Sequence, residues 1–293
     1  MFHAEPRLLA CTYGFMAAHI LLIHCPDRPG LIAAVTGVLF QHQLNIISNG
    51  EFVERTHNHF FMRTEFSGAV DLVHLEKDLR EALPTDVIIR LSAQRNKEIV
   101  VLASKEHHCL ADLLVRHYYG ELGATIKAVI SNHPLLEPLV KKFDIPFICL
   151  PHDGVDRNQH ENSLAKHIDQ FQPEFIVLAK YMRILSAGFV ARYPNQIINI
   201  HHSFLPAFVG AKPYAQAYER GVKIIGATAH FVNDNLDEGP IIAQNVIPVN
   251  HTHNAKEMAQ AGRNVEQIVL ANALGLVFDE RVFVHGNKTI IFD

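Results

Sequence analysis

The chain has 293 residues, of which 48% are hydrophobic, and its formal net charge is −4 at pH 7. This length fits about two domains with cores of ordinary size, and a chain without a basic excess is a poor candidate for binding nucleic acid. The four cysteines, Cys11, Cys25, Cys109 and Cys149, are scattered without a Cys-x-x-Cys pair. Such spacing is typical of packing residues in a reducing cytoplasm rather than of a disulfide framework or a zinc ribbon. We therefore expect a cytoplasmic protein with a small-molecule partner, no nucleic acid and no membrane.

Residues 1–18 are predicted to be a leader that can be disordered. A largely apolar stretch runs from Leu8 to Ile23, but His19 interrupts it, and a membrane span needs about 20 apolar residues. The run before Cys11 is also shorter than the roughly 7–15 apolar residues that precede a signal cleavage site. A transmembrane or secretory role for this segment is therefore not expected.

The pattern over residues 19–94 predicts strand, helix, strand, strand, helix and strand. The helices show apolar residues at three- and four-residue spacing, and the strands are apolar or alternating runs bounded by turn residues. The predicted ranges are strand 19–24, helix 31–43, strands 45–54 and 59–66, helix 71–83 and strand 86–91. This βαββαβ order predicts a ferredoxin-like domain.

The segment Cys25-Pro-Asp-Arg-Pro-Gly-Leu-Ile32 resembles the opening of an ACT domain. The resemblance implies a regulatory module that binds a small effector, commonly an amino acid, and forms a homo-oligomer. Gly30 allows a close approach of the backbone, and the helix N-terminus that follows can receive a carboxylate. Asp27, Gly30 and Asn45 are the predicted effector-binding residues. The alternative is that Asp27 and Gly30 only shape a turn.

Residues 95–98, Arg-Asn-Lys-Glu, are predicted to be a linker, and strand and helix patterns alternate after it. This alternation predicts a Rossmann-like α/β domain over residues 99–293, with a parallel sheet between covering helices. Predicted strands cover 99–103, 125–130, 147–150, 175–179, 196–200, 226–232 and 241–249; predicted helices cover 110–119, 135–143, 163–170 and 254–274; a terminal hairpin turns near Gly286 and Asn287.

Two polar stretches of this domain carry the candidate chemistry. Asn199-Ile-His-His-Ser-Phe-Leu-Pro206 begins as a predicted strand ends, and the second stretch, residues 230–240, contains Asp237. Ligands of open α/β sheets bind at the carboxyl ends of strands. An amide, an imidazole and a carboxylate that meet there would supply an oxyanion donor, a proton carrier and an orienting group. We predict that Asn199, His201 and Asp237 form a catalytic set for attack on a carbonyl; the structural alternative is that they cap loops.

Together with Met182-Arg-Ile-Leu185, these stretches resemble the formyltransferase family that uses 10-formyltetrahydrofolate. The resemblance implies that Asn199 donates to the formyl oxygen, that His201 stabilises or protonates the tetrahedral species, and that Asp237 orients His201 and the attacking water. It also implies a folate pocket with these substrate-binding residues: Met182, Arg183, Ile184, Leu185, Val190, Asn233 and Asp234.

No cofactor is expected, because 10-formyltetrahydrofolate would be the substrate. The chain has twenty histidines, and several occur in close pairs. None belongs to a helical His-Glu-x-x-His pattern or accompanies a cysteine cluster, so no metal site is predicted.

The predicted acceptor side departs from the glycinamide ribonucleotide formyltransferases. Those enzymes carry a Gly-x-Gly-Ser-Asn-Leu loop that grips phosphate, whereas this chain has Ala103-Ser-Lys-Glu-His-His-Cys-Leu110, without glycine. We expect Lys105, His107 or Tyr214 to fill the space of an acceptor amine.

An ACT-like domain ahead of a formyltransferase-like domain resembles the formyltetrahydrofolate deformylase family. The resemblance implies that water takes the formyl group, releasing formate and tetrahydrofolate in one-carbon and purine metabolism. One alternative is a formyltransferase that acts on an unrecognised amine. The other is a non-catalytic regulatory protein that binds folate or an amino acid.

Overall fold

A computed structural model describes residues 18–207 and 213–292, and the chain separates into two compact units between Gln94 and Arg95. Of the predicted leader only Ala18 is described, and Cys11 lies outside the described residues. Cys25, Cys109 and Cys149 are free thiols. No helix within the described ranges is long and apolar enough to cross a membrane.

The first unit has the predicted βαββαβ order. Its elements are β1 (Ala18–Pro26), α1 (Leu31–Gln41), β2 (Asn45–Glu54), β3 (His59–Ser67), α2 (Leu72–Ala82) and β4 (Ile88–Ala93). The strands pair antiparallel in the order β2-β3-β1-β4. Alternate residues of β1, Leu21, Ile23 and Cys25, share one core with Val35 of α1 and Leu75 of α2, because successive side chains of a strand point to opposite faces. The ferredoxin-like prediction is confirmed.

The second unit contains a larger set of alternating strands and helices. They are β5 (Lys97–Ala103), α3 (His108–Tyr118), β6 (Ala124–Ser131), α4 (Glu137–Val140), β7 (Phe147–Cys149), α5 (Arg157–Asp169), β8 (Phe175–Ala179), α6 (Ala187–Val190), β9 (Ile197–His201), α7 (Pro213–Glu219), β10 (Ile224–Phe231), β11 (Ile241–Pro248), α8 (Ala255–Phe278), β12 (Val282–His285) and β13 (Lys288–Ile291). Strands β12 and β13 form the predicted terminal hairpin.

The sheet of the second unit is mixed. Its seven strands lie in the order β11-β10-β9-β8-β5-β6-β7. The five strands from β9 to β7 are parallel, as predicted, but β10 and β11 are antiparallel to their neighbours. The alternation that predicted a parallel sheet does not extend to this edge, since no helix lies between β10 and β11. A parallel crossover needs a dozen or more residues, and only residues 232–240 join β10 to β11.

Two element boundaries and two short helices also depart from the prediction. Strand β5 begins at Lys97, inside the predicted linker, because the buried Lys97 ammonium forms an ion pair with Glu280. Helix α5 begins at Arg157, six residues earlier than predicted, with the Asp156 side chain accepting hydrogen bonds from the first turn. Helices α6 and α7 were missed because four and seven residues are too few to show a helical period.

Two apolar layers cover the sheet of the second unit. Ile99, Val101 and Ala103 of β5 pack with α3 and α8 on one face, whereas Val100 and Leu102 pack with α5 and α6 on the other. The carboxyl ends of β8 and β9 open between these two helical layers, which is where the candidate site lies.

Candidate active site

A cavity of about 650 Å³ lies where β8 and β9 end, and Asn199, His201 and Asp237 all line it. Asn199 and His201 belong to β9, and Asp237 lies in the loop between β10 and β11. The structure thus brings the three predicted catalytic residues together.

His201 is held by Asp237. The imidazole is 5% exposed, and its Nδ1 lies 3.3 Å from Asp237 Oδ1. The other ring nitrogen, Nε2, is buried without a hydrogen-bond partner among the described residues. Because the carboxylate accepts a hydrogen bond from the Nδ1–H group, the Nε2 lone pair is the reactive position of this ring.

His230 fixes the orientation of Asn199. Its Nδ1 lies 2.8 Å from the Phe231 carbonyl oxygen, which can only accept, so this nitrogen carries the proton and Nε2 is an acceptor. Asn199 Nδ2 lies 3.2 Å from that Nε2 and therefore donates to it. The second N–H of the amide is left for a ligand in the cavity.

The titration of these groups follows from their surroundings. Burial lowers the pKa of His230, which keeps the ring neutral. Burial raises the pKa of Asp237, but the hydrogen bond from His201 and the neighbouring imidazoles outweigh it, and the net pKa is lowered. The pKa of His202 falls to about 4 because of burial, Lys180 and His201. At neutral pH the site therefore combines an ionised carboxylate with neutral His202 and His230.

The Asp237 loop has a constrained backbone. Asp237 has a φ of +57°, a left-handed conformation that Asp tolerates better than most residues. Two residues later, a Cβ atom on Gly239 would stand 1.8 Å from the Phe231 carbonyl oxygen. Only glycine allows this close approach, which sets the path of the loop beside His230.

The segment from Met182 to Leu185 forms another wall of the cavity, and hydrogen bonds hold it from several sides. The Met182 N–H donates to Ser104 Oγ at 3.0 Å, the Arg157 guanidinium donates to the Ile184 carbonyl at 2.9 Å, and Ser186 donates to Glu161 through its N–H and its hydroxyl.

Six of the seven predicted substrate-binding residues line the cavity: Met182, Arg183, Ile184, Leu185, Asn233 and Asp234. Val190 lies instead in the apolar core between α6 and the sheet, because α6 turns its side chain inward. The cavity-lining residue Leu185 packs against the same apolar cluster, and the contact of Val190 with a substrate remains a prediction.

A buried ionic cluster, which we call the Lys180–Glu266 cluster (Lys180, Glu266, Tyr214 and His108), was not predicted. Lys180 Nζ lies 3.1 Å from Glu266 Oε2, and the same oxygen lies 2.7 Å from His108 Nε2. The Tyr214 hydroxyl donates to Glu266 Oε1 at 2.6 Å. Burial raises the pKa of Glu266, but His108, Lys180 and Tyr214 together bring it down to about 2, so the carboxylate is ionised.

Two signals in the sequence could have revealed this cluster. Lys180 directly follows strand β8, the same position relative to its strand that drew attention to the polar residues after β9. Glu266 lies among the apolar residues Val265, Val269 and Leu270 on the buried face of α8, where a lone carboxylate needs a partner.

His108, Cys109 and Glu266 lie close enough to hold a metal ion. Burial raises the pKa of the Cys109 thiol well above its usual range, and Glu266 raises it further, which keeps the thiol protonated and a poor ligand. Glu266 already carries the Lys180 ammonium. His108 is likewise engaged with Glu266, and the absence of a metal remains a prediction.

The three residues predicted to fill the acceptor space have different positions. Tyr214 lines the cavity, as predicted. Lys105 and His107 are exposed just before α3. Glu106, which lies between them, lines the cavity, and so does Lys180 at the end of β8.

The predicted effector residues of the first unit do not form one site within the chain. Gly30 precedes α1 with a φ of +93°, and Asp27 lies just after Pro26, the end of β1. Asn45 pairs with Ser67, which pairs in turn with Ala18 at the opposite end of β1. At about 3.3 Å per residue, these ends are roughly 25 Å apart. Asn45 would meet Asp27 and Gly30 only across two chains, and the effector site remains a prediction.

Comparison with known proteins defines the class of the two units. Residues 19–84 match the model of the ACT domain family, and residues 97–274 match the formyl transferase family model. Glycinamide ribonucleotide transformylase 1 from Symbiobacterium toebii has a structure similar to 68% of this chain and 95% of its own, with a TM-score of 0.65 and 28% identity. The second unit is thus a formyl transferase domain.

Two relatives are similar over both units. Formyltetrahydrofolate deformylase of Haemophilus influenzae is 56% identical over 272 residues, which are 93% of this chain and 98% of the relative. The crystal structure of a formyltetrahydrofolate deformylase from Pseudomonas syringae pv. tomato superposes with a TM-score of 0.92 and 40% identity over 96% of each chain. The chain belongs to the formyltetrahydrofolate deformylase family.

Proposed function

We propose that the protein hydrolyses 10-formyltetrahydrofolate to formate and tetrahydrofolate. The observation that carries this proposal is that His201 Nε2, which has no hydrogen-bond partner among the described residues, shares a cavity with the Asn199 amide, one of whose N–H groups is left for a ligand. One group can take a proton from water while the other stabilises the charge on the formyl oxygen.

Water forms the new carbon–oxygen bond, and His201 Nε2 takes its proton. Asp237 stabilises the imidazolium that results, because its carboxylate faces Nδ1. The second N–H of Asn199 donates to the oxyanion of the tetrahedral intermediate. When the intermediate collapses, the bond between carbon and N10 breaks, and His201 returns the proton to N10. The second proton of the water leaves with the formic acid and is lost to solvent, which gives formate.

The substrate is positioned by the wall from Met182 to Leu185 and by the loop that contains Asn233 and Asp234. Ile184 and Leu185 supply apolar surface, and the fixed backbone around them supplies hydrogen-bonding groups for a pterin edge. This assignment is supported by the anchoring of the segment at Ser104, Arg157 and Glu161, which holds its backbone in place before substrate arrives.

We also propose that the ACT domain regulates this hydrolysis. An amino-acid effector whose carboxylate meets the start of α1, near Asp27 and Gly30, would control a homo-oligomeric cytoplasmic enzyme. The uncapped N-terminus of α1 supports this, because Gly30 supplies no side-chain acceptor to its first N–H groups.

The test is formate release from 10-formyltetrahydrofolate by the purified protein with no amine present. Asn199→Ala, His201→Ala and Asp237→Ala should each lower kcat by about 10²–10³-fold while the Kd for the folate stays nearly unchanged, because their interactions strengthen only as charge develops. Asp78→Ala is the matched control, since it removes a histidine–aspartate contact of 2.7 Å, to His42 in the ACT domain. Near-normal hydrolysis by Asp237→Ala would contradict the assignment.

An amine acceptor tests the alternative of a transferase. Glycinamide ribonucleotide at saturating concentration should neither be formylated nor much reduce formate release, because its phosphate would find no glycine loop to bind. Formylated product at a rate comparable to formate release would favour the transferase instead.

A further inference from the structure

The Lys180–Glu266 cluster lies in the wall of the catalytic cavity, yet the proposed chemistry uses none of its members. Lys180 is 4% exposed and Glu266 is 1% exposed, and both line the cavity. Burying an ion pair costs solvation free energy that the attraction between the charges often fails to recover. Lys180 also has a φ of +62°, a backbone conformation that is unfavourable for a residue with a Cβ atom. Both costs indicate a role beyond packing.

Glu266 is a fixed support for the ammonium. Tyr214 donates to one carboxylate oxygen, and His108 contacts the other. Gly262 of helix α8 leaves room for Tyr214, because a Cβ atom at this position would stand 2.1 Å from the Tyr214 hydroxyl. The carboxylate is therefore satisfied by neighbours that stay in place when Lys180 meets another anion.

The ammonium of Lys180 has donors to spare. It carries three N–H groups, and its contact with Glu266 engages one carboxylate oxygen. A lysine that is held at one point and borders a cavity can hydrogen-bond a small anion with its remaining donors.

The other ionisable groups near the Lys180–Glu266 cluster are less suited than Lys180 to binding an anion. Arg263 Nε lies 3.8 Å from Glu106 Oε2, so these two charges offset one another. His202 is neutral above about pH 4, and Asp237 is an anion that repels anions. An anion formed near His201 therefore meets a cation on the side of Lys180.

The position of the cluster suits a product of hydrolysis. Its other members belong to α3, α7 and α8, whereas the proposed folate wall from Met182 to Leu185 packs with α5 and α6 on the opposite face of the sheet. Asn199 and His201 on β9 lie between the two walls. A formyl group that is cleaved from the folate at Asn199 and His201 is therefore released into the part of the cavity that Lys180 lines.

We infer that Lys180, held by Glu266, is the binding site for the formate carboxylate, a product-anion subsite on the cavity wall formed by α3, α7 and α8. This inference rests on the proposed hydrolysis. The oxygen that enters from water and the original formyl oxygen become the two formate oxygens, and at least one of them accepts a hydrogen bond from the Lys180 ammonium.

Product inhibition tests the subsite. The initial rate of tetrahydrofolate formation is measured against sodium formate, with sodium chloride at equal ionic strength as the salt control. In Lys180→Met the inhibition constant for formate should rise about tenfold or more, since a hydrogen bond to a charged group is lost. Lys180→Arg should restore most of the affinity. Inhibition by formamide, a neutral molecule of the same size, should change less than about twofold.

Two further variants separate the subsite from a purely structural role. Lys97→Met also removes a buried lysine that pairs with a buried glutamate, Glu280, in the same domain, and it should leave formate inhibition unchanged. The double variant Lys180→Met/Glu266→Gln removes the charge without leaving a buried carboxylate unpaired, and it takes the place of Lys180→Met if that variant does not fold.

The inference is overturned if formate inhibits Lys180→Met or the double variant as strongly as it inhibits the unmodified protein. It is also overturned if formate does not inhibit the unmodified protein at any soluble concentration. If the unmodified protein forms no tetrahydrofolate without an amine, the proposed function itself has failed, which is a distinguishable result.

Discussion

His202 is a neutral imidazole in a region that also holds the Lys180 ammonium, and this makes it a sensor of acid for the folded state. Its pKa falls from 6.5 to about 4 because of burial, Lys180 and His201. Between pH 6.5 and about pH 4, His202 is protonated in the unfolded chain but neutral in the folded chain. The free energy of unfolding should therefore fall as the pH drops from 6.5 towards 4, by at most roughly 3 kcal/mol.

Urea unfolding at pH 7 and pH 5 measures this effect, with His202→Gln as the comparison. Asp237 and Glu266 have lowered carboxyl pKa values, so their stabilisation is lost only below the ordinary range of carboxyl groups, near pH 4. Their stabilisation is fully present at both pH 7 and pH 5, so they contribute little to the change in the free energy of unfolding between these two pH values. An equal loss of stability in His202→Gln over this range would show that His202 is not the responsible group.

At the scale of single residues, the sequence identified side chains that follow strands and carry a distinctive pattern. Asn199, His201 and Asp237 were predictable because their two motifs are polar runs after apolar strands. Lys180 and Glu266 were missed, because their signals, a lysine directly after a strand and a glutamate on an apolar helix face, do not show that the two residues pair. Only the fold makes them partners, since it places the end of β8 against the middle of α8.

Among the elements, the loop between β10 and β11 is the most sensitive to a small change. Gly239→Ala would place a methyl group against the Phe231 carbonyl oxygen, which accepts a hydrogen bond from His230 Nδ1. The loop must shift, and with it Asp237. A displacement of about 1 Å at a catalytic group can cost about 10²-fold in rate, so we expect a loss of that order in kcat.

Steady-state kinetics of Gly239→Ala checks this expectation, and Gly275→Ala is its control. A Cβ atom on Gly275, inside helix α8, would have no described heavy atom within 4 Å, so alanine there should keep full turnover. It should also raise the free energy of unfolding by roughly 0.5–1 kcal/mol. Unchanged kcat in Gly239→Ala would mean that the loop tolerates the shift.

The elements that were predicted from the sequence were long and periodic. The features that were missed were the short helices α6 and α7 and the antiparallel direction of β10. Helices α3 and α8 show apolar positions that match the sheet they cover. The direction of β10 and β11 was not readable from composition, because a buried antiparallel strand and a buried parallel strand have the same apolar run. The short connection at residues 232–240 was a missed signal for the antiparallel pairing of β10 with β11, whereas the connection at residues 202–223 is long enough for either direction.

At the scale of the whole molecule, each unit has its own core, since the apolar cluster of residues 21–89 and the clusters of the second unit share no member. All residues proposed for catalysis lie after Arg95. A chain of residues 95–293 should therefore fold and release formate, but it should no longer respond to an amino-acid effector.

Thermal unfolding by circular dichroism, formate release and titration with the twenty amino acids compare the shortened and full-length chains. An effector response that survives in residues 95–293 would contradict the regulatory role of the ACT domain. A folded but inactive product would contradict the placement of catalysis within the second unit.

The pairing of β9 with β10 limits which changes of chain length the enzyme can accept. Asn199 lies directly opposite His230, and His201 lies opposite Thr228, so the hydrogen bond between Asn199 and His230 depends on strand register. Loss or gain of one residue within either strand would turn every following side chain to the other face and would point the amide or the imidazole away from the substrate. By contrast, the exposed turn at residues 219–221 after α7 can vary in length without changing that pairing. Insertions and deletions among related enzymes should therefore collect in such turns and spare β9 and β10.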